Sequence, residues 1–200
     1  SILHIINSYF ILDKIKKNKI PLNLHGDHLS LHMTFISLPK NNLKNINSLF
    51  QNCDLNIDRV ISKPFVFGIN FLKEKRDIKN FLIINLDNVL TSVSLYEDAS
   101  LVFLKTFPFG TSSIYDDISQ LCSLSKKDIE LIIEEFNFLD DTKNNSSFIE
   151  KKFFKDSKFT KLSVKHLREI MNARINEITD YIFNNNKNLK YLDNKITKIF

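Results

Sequence analysis

Glycine is scarce in this sequence: only three of the 200 residues are glycine, at Gly26, Gly68 and Gly110. Walker loops and dinucleotide-binding turns need several glycines within a few residues, because glycine lets backbone N–H groups come close to a phosphate. Neither motif can exist in this chain. The longest apolar runs, such as residues 81–84, are far shorter than the roughly 20 residues needed to cross a bilayer. No membrane-spanning helix is therefore predicted.

Cysteine and arginine are also few. Cys53 and Cys122 lie far apart in unlike contexts, which predicts no disulfide framework and favours a reducing compartment. The net charge of +5 and the pI of about 9.1 come mainly from lysines mixed with Asp and Glu. Nucleic-acid-binding surfaces cluster Arg and Lys with stacking aromatic residues. The sequence contains no such cluster, so no nucleic-acid partner is predicted.

Hydrophobic patterns predict a small unit at the start of the chain. β-Branched and aromatic residues predict a strand over 2–12, and strict alternation predicts a half-buried strand over 28–35. Helical spacing follows over 41–53, and a short strand is predicted over 56–62. Residues 1–65 are thus predicted to form a β-β-α-β unit.

The predicted strand over 28–35 also bears on whether its histidines could bind a metal ion. His28 and His32 would share a face if this segment were a helix, but four residues along a strand span roughly 13 Å. Two nitrogens at that distance cannot bind one ion, so no metal is predicted. The opposite face of the strand carries four apolar residues: Leu29, Leu31, Met33 and Phe35.

The remainder of the chain is predicted to be a mixture of strands and helices. A short helix over 65–73 precedes three strands whose short links predict an antiparallel meander. In chain order, the predicted elements after this helix are strands 81–86, 91–96 and 101–107, helices 112–121 and 125–138, a polar loop 140–147, a strand 148–154 and a helix 163–183 with Ser163 as its N-cap.

The last helix carries an apolar stripe that predicts packing in the core. The stripe consists of Leu167, Ile170, Met171, Ile175, Ile178 and Ile182. Two acidic pairs, 116–117 and 134–135, are predicted to be solvent-exposed surface charges, because adjacent helical residues do not face each other.

Several strings along the chain resemble one family. The segments 3–13 (LHIINSYFILD), 21–29 (PLNLHGDHL), 82–96, 107–118 and 167–178 (LREIMNARINEI) occur in the order of that family's motifs. Together they resemble FtsA, the family of actin-like bacterial cell-division proteins.

The resemblance implies a fold and a domain division. We expect an α/β (α+β) chain, namely an actin/Hsp70-like (RNase H-like) ATPase half-domain with an inserted SHS2-like β-β-α-β subdomain. Residues 1–65 would be the inserted subdomain, and 66–200 the actin-like portion, incomplete at its C-terminus. Ser1 and Phe200 are both expected to border further sequence of a longer protein.

The resemblance also implies a nucleotide site that has degenerated. Its positions are Asn85, Asp87, Asn88, Thr91, Gly110 and Glu130. The family has an aspartate at position 85 and glycines at 87–89, where this chain has Asp87, Asn88 and Val89. Val89 disfavours a turn with positive φ, and Asp87 brings a negative charge towards the phosphates. We therefore expect no catalysis, and ATP with magnesium is a doubtful cofactor.

Partners follow from the same resemblance. The family's long helix receives the C-terminal tail of FtsZ, and Arg174 matches the arginine of that helix. Residues 1–65 would contact later division proteins and a second copy in a head-to-tail polymer. The expected location is the cytoplasmic face of the inner membrane at the division site, with the membrane reached only through a segment absent from this chain.

Three alternatives stay open at this point. The chain could be a functional actin/Hsp70-type ATPase whose backbone tolerates the substitutions. It could be a pilus-assembly relative of FtsA that acts as a binding module for an inner-membrane complex. It could also be an unrelated α/β binding domain in which the motif matches are coincidental.

Overall fold

The architecture comes from a computed structural model, which describes residues 1–135, 147–154, 161–184, 189 and 198–200. The strands in chain order are β1 (Ile2–Leu12), β2 (Ile15–Lys17), β3 (Leu29–Ser37), β4 (Phe81–Leu86), β5 (Thr91–Glu97), β6 (Ser100–Phe107), β7 (Phe148–Glu150) and β8 (Lys161–Ser163). The helices are α1 (Lys40–Gln51), α2 (Lys63–Glu74), α3 (Thr111–Cys122), α4 (Lys126–Glu135) and α5 (Val164–Phe183), with a 3₁₀ turn at Lys151–Phe153. In the described part of the chain, no helix is both long and apolar enough to span a bilayer.

Contacts divide the chain into two compact units. Unit 1 contains Ser1–Asn85, Ser92–Thr106 and the last three residues. Unit 2 contains Leu86–Thr91 and the described residues that follow Thr106, up to residue 189. The family resemblance implied a domain boundary at residue 65. The two contact-based units do not test that boundary, which stays a prediction.

Unit 1 begins with a three-stranded sheet in the order β2-β1-β3, and both pairings are antiparallel. Asp13 and Lys14 link β1 to β2 with positive φ at both residues, as the type I′ form of a two-residue hairpin turn requires. Two register shifts mark irregularities along the β1–β3 pair. The strands predicted over 2–12 and 28–35 are thus confirmed.

The element order of this first segment corrects the sequence prediction. Residues 55–62 form no strand, and the third strand of the sheet is β2. The backbone N–H of Ser62 donates to the imidazole of His4 at 3.3 Å, so its bond goes to a side chain and not to a neighbouring strand. The segment is therefore β-β-β-α, and the predicted order β-β-α-β is wrong.

The burial of β3 was also unexpected. The four residues of its apolar face are each 45–53% exposed, namely Leu29, Leu31, Met33 and Phe35. The buried residue is Ile36, on the other face, where it packs with Phe81, Tyr96 and Leu101 in the core of unit 1. Alternation identifies a strand, but it does not determine which face packs against the protein.

The second sheet has the order β4-β5-β6, which agrees with the predicted meander. The rings of Phe81 and Tyr96 stack at 4.7 Å in its core. Gly68 on α2 lies against Tyr96, because a Cβ at position 68 would be 1.8 Å from the tyrosine oxygen. This close approach explains why a glycine occupies the middle of a helix, where its propensity is poor.

Unit 2 is built around α3, α4 and α5. The helices bury an apolar cluster that includes Ile118, Ile129 and Leu167, and each such side chain contributes roughly 1.5–3 kcal/mol of transfer free energy. Ser163 caps α5 as predicted, since its hydroxyl accepts from the N–H of His166. Ile175 is the exception in the predicted stripe, because it is 41% exposed.

Other predictions for unit 2 have mixed outcomes. The helices predicted over 112–121 and 163–183 are confirmed. The strand predicted over 148–154 ends at Glu150, where the 3₁₀ turn begins. The polar loop predicted over 140–147 lies outside the described residues except for Ser147.

Candidate functional site

The first candidate site is the turn between β4 and β5, where the resemblance placed the phosphate-binding residues. The N–H of Asp87 donates to the carbonyl of Leu90 at 3.0 Å and closes the turn. No residue from Asp87 to Leu90 has a positive φ. Val89 is therefore accommodated without strain, because this turn does not use the left-handed geometry expected of the family's glycines.

The start of α3 lies directly against this turn. The N–H of Thr111 donates to the carbonyl of Asp87 at 3.0 Å, and the N–H of Ser112 donates to the carbonyl of Asn88 at 2.8 Å. The first amides of a helix are normally free to bind an anion. Here two of them are bonded to the turn.

The side chains of the turn are also engaged locally. The Asp87 carboxylate accepts from the N–H of Asn88 at 2.9 Å. Thr91 is fully buried, and its hydroxyl donates to the carbonyl of Phe109 at 2.7 Å. Gly110 follows Phe109 and packs on the backbone of the turn, so these residues form one hydrogen-bonded cluster.

The other two residues of the implied nucleotide site are Asn85 and Glu130. Asn85 lies near the end of β4 and is assigned to unit 1. Glu130 is exposed on α4 and is assigned to unit 2. Neither side chain takes part in the hydrogen bonds that close the turn and join it to α3. The hydrogen-bonded cluster of unit 2 thus contains four of the six implied positions.

The second candidate site surrounds Arg174 on α5. Its Nε and Nη2 donate to the two carboxylate oxygens of Asp117 on α3, at 2.5 and 2.6 Å. Its Nη1 donates to Oε2 of Glu177, one turn further along α5, at 2.6 Å. The hydrogen bonds that Arg174 donates to Asp117 raise the pKa of Arg174 above its ordinary value. The guanidinium is charged at physiological pH, as arginine is throughout proteins.

A cavity of about 270 Å³ lies beside this arginine. Its walls are formed by Phe109, Ser113, Arg174, Glu177, Ile178 and Tyr181. The ring of Tyr181 meets that of Phe109 edge-to-face at 5.5 Å, which is a favourable aromatic geometry. The cavity therefore combines an apolar floor with one cation and one carboxylate.

Asp117 was misassigned from the sequence as a surface charge. Its side chain is 23% exposed and forms the bidentate pair with Arg174, whereas its neighbour Asp116 is 48% exposed and pairs with Lys126. Adjacent helical residues point in different directions, which explains why one faces α5 and the other faces solvent.

Of the residues that line the cavity, the sequence predicted only Arg174 as a site residue, and the structure adds Phe109, Glu177 and Tyr181. A signal for two of them was present, because positions 174, 177 and 181 share one face of a helix at spacings of three and four. No feature of the sequence pointed to Phe109, which reaches the cavity from the segment before α3. No cluster of three or more potential metal ligands occurs in the part of the chain that the structure describes.

The described strands and helices define a mixed α/β protein, the class that includes the actin-like proteins. The chain itself is FtsA-like. It is 26% identical over 131 residues to the cell division protein FtsA of Buchnera aphidicola subsp. Schizaphis graminum, and 21% identical over 130 residues to FtsA of Agrobacterium fabrum. These matches cover 66% and 65% of this chain but only 31% and 29% of the relatives, so the matched part is less than a third of a whole FtsA.

No family model matches the sequence. Among solved structures, MreB 5 of Spiroplasma citri bound to AMPPNP is similar over 95% of this chain and 75% of its own, with 12% identity and a TM-score of 0.44. A structural likeness this loose adds nothing to the sequence similarity to FtsA.

Proposed function

We propose that this chain is part of an FtsA-type cell-division protein that links FtsZ filaments to the cytoplasmic face of the membrane at the division site. It would recruit later division proteins and a second copy of itself through residues 1–65. The similarity to FtsA over about 130 residues supports the class of protein. The observation that carries the partner assignment is Arg174, which borders an apolar cavity on α5.

The chemistry of this cavity fits a peptide better than a small molecule. Pockets for drug-sized ligands commonly measure about 300–1,000 Å³. A cavity of about 270 Å³ with an aromatic floor is suited to one apolar side chain. A guanidinium beside it suits a neighbouring carboxylate. An acidic and apolar tail such as that of FtsZ provides both groups.

We further propose that the chain does not hydrolyse ATP. The residues of the β4–β5 turn do not fit a magnesium triphosphate, because Asp87 carries a negative charge and Asn85 offers magnesium no anionic ligand. The amides of Thr111 and Ser112, which would otherwise attract an anion, are bonded to the turn. These features support a role as a docking scaffold.

The partner assignment is tested by titrating the chain with a fluorescent peptide of the FtsZ C-terminal tail from the same organism. Arg174→Glu should weaken binding by about tenfold or more, the scale of a lost charge-assisted contact. Arg76→Glu is the matched control, because it makes the same charge change at an exposed position of unit 1. Equal affinities for Arg174→Glu and the parent chain would refute the assignment.

A further inference from the structure

The two carboxylates on Arg174 differ in how firmly they bind it. Asp117 uses both oxygens in a fork on Nε and Nη2, and its side chain is 23% exposed. Glu177 makes one bond to Nη1, and its side chain is 67% exposed. Bidentate and partly buried pairs are the stronger ones, whereas a single exposed pair contributes little.

The position of these carboxylates relative to the cavity also differs. Glu177 lines the cavity together with Arg174, but Asp117 does not. An acidic ligand that enters the cavity therefore meets Glu177, which occupies a donor on the open side of the guanidinium. Asp117 approaches from α3 and binds the opposite edge, so it can stay bonded while the ligand is present.

From this asymmetry we propose that Glu177 is a displaceable cover on Arg174, and that Asp117 is the positioning residue that keeps the guanidinium in place. A carboxylate of the partner takes Nη1 in place of Glu177, while the apolar side chain next to it enters between Phe109 and Tyr181. Glu177 then swings into solvent, where it already lies for the most part. This inference rests on the proposed function, since it describes how the FtsZ tail peptide binds at Arg174.

The arrangement has a consequence for selectivity. A neutral apolar peptide could fill the cavity but could not displace Glu177, because it offers no competing anion. The site therefore selects a peptide that carries an acidic residue beside an apolar one. Arg174 remains charged throughout, since a guanidinium is not deprotonated at physiological pH. It also keeps the bonds that it donates to Asp117.

The decisive experiment compares substitutions that remove one negative charge each. Glu177→Gln should raise the affinity for the acidic tail peptide roughly two- to fivefold, the scale of one exposed ion pair plus relief of like-charge repulsion. Glu169→Gln is its control, because Glu169 lies exposed on the same helix and pairs with Lys165 and His166. The control should leave the affinity unchanged.

Asp117→Asn should act in the opposite direction and weaken binding by about tenfold, because Arg174 is no longer held by two bonds. Its control is Asp116→Asn on the next residue, whose carboxylate pairs with Lys126. The Nε–H resonance of Arg174 in an NMR spectrum provides a readout without any peptide. It should stay protected from exchange in Glu177→Gln and lose protection in Asp117→Asn.

The outcomes separate this inference from the proposed function. If the parent chain binds the tail peptide and Glu177→Gln binds it equally or more weakly, Glu177 does not compete with the peptide for Arg174. Only this inference is then refuted. If Asp117→Asn binds the peptide more tightly, Asp117 is a competitor and not a positioning residue. If the parent chain does not bind the peptide at all, both the proposed function and this inference are refuted. A peptide with its acidic residues changed to amides should bind weakly and gain nothing from Glu177→Gln.

Discussion

Gly110 lies directly against the backbone of Asp87. A Cβ built at position 110 would be 2.1 Å from the Asp87 carbonyl oxygen and 2.4 Å from that of Asn88. Both oxygens accept bonds from the first amides of α3, so neither can move without breaking the junction between the turn and the helix. This glycine is required by close packing and not by its backbone angles, since its φ is −156°.

Gly110→Ala should therefore destabilise the chain by about 1–3 kcal/mol, the usual cost of overpacking where the neighbour is rigid. Gly26→Ala is the comparison, because the nearest atoms there belong to the side chains of Leu12 and Asp13 and not to backbone. Of these, only the Asp13 carboxylate is held, by the backbone N–H groups of Asp27 and His28, so the loss at position 26 should be the smaller one. Urea unfolding of both variants measures the difference. Equal losses of stability would show that the carbonyls of the turn yield as easily as a side chain.

The burial of β3 leads to a second prediction. Ile36→Ala removes a core side chain and should cost about 2–5 kcal/mol, whereas Leu31→Ala should cost less than about 1 kcal/mol because Leu31 is half exposed. The two positions lie on the same strand, so they share its backbone environment. Chemical denaturation of the two variants measures both costs, and a larger loss for Leu31→Ala would mean that the apolar face of β3 is the buried one.

Leu31 and Ile36 also illustrate what sequence can and cannot predict about the fold. A period of two within one strand reports only local geometry, and both faces of β3 carry apolar residues. Which face is buried depends on Phe81 and Tyr96, which are distant in sequence. The helices were easier to predict because their apolar stripes and caps are local, as Ser163 at the start of α5 shows.

The candidate site was only partly predictable for the same reason. Arg174 was found because it matches a family motif, but its bond to Asp117 joins residues 57 positions apart. The closed turn at Asp87 could not be foreseen either, since it depends on where α3 begins in space. Sequence identified Arg174 and the residues of the turn, whereas tertiary contacts add the other cavity residues and determine which hydrogen bonds Arg174 and the turn make.

The bonded amides of α3 lead to a third prediction. One millimolar ATP with magnesium should raise the melting temperature of the chain by less than about 1 °C, because a ligand adds little stability to the folded state when its concentration is below its Kd. Magnesium with sodium tripolyphosphate is the control for ionic strength and for bare anion binding. A rise of several degrees specific to ATP would mean that the turn opens and binds nucleotide, and the proposed loss of catalysis would then need a separate assay.

A fourth prediction concerns alkaline pH. Burial raises the pKa of Tyr96 from 10.0 to about 12, because the phenolate is disfavoured in the core of unit 1. Between pH 10 and 12 the unfolded chain has lost this proton while the folded chain retains it. The unfolded state therefore binds fewer protons in that window, and the free energy of unfolding falls as the pH rises.

Tyr96→Phe should remove this component, which amounts to roughly 2–3 kcal/mol across the window. The variant also loses the hydrogen bond from the Tyr96 hydroxyl to the Phe65 carbonyl, so it should be somewhat less stable at pH 8 but less sensitive to alkali. Tyr181→Phe, at a position that is half exposed, should keep the slope of the parent chain. Urea unfolding between pH 8 and 11.5 measures how the free energy of unfolding changes with pH in the parent and in both variants. If Tyr96→Phe and the parent lose stability at the same rate with pH, the Tyr96 hydroxyl is hydrated and not buried against α2.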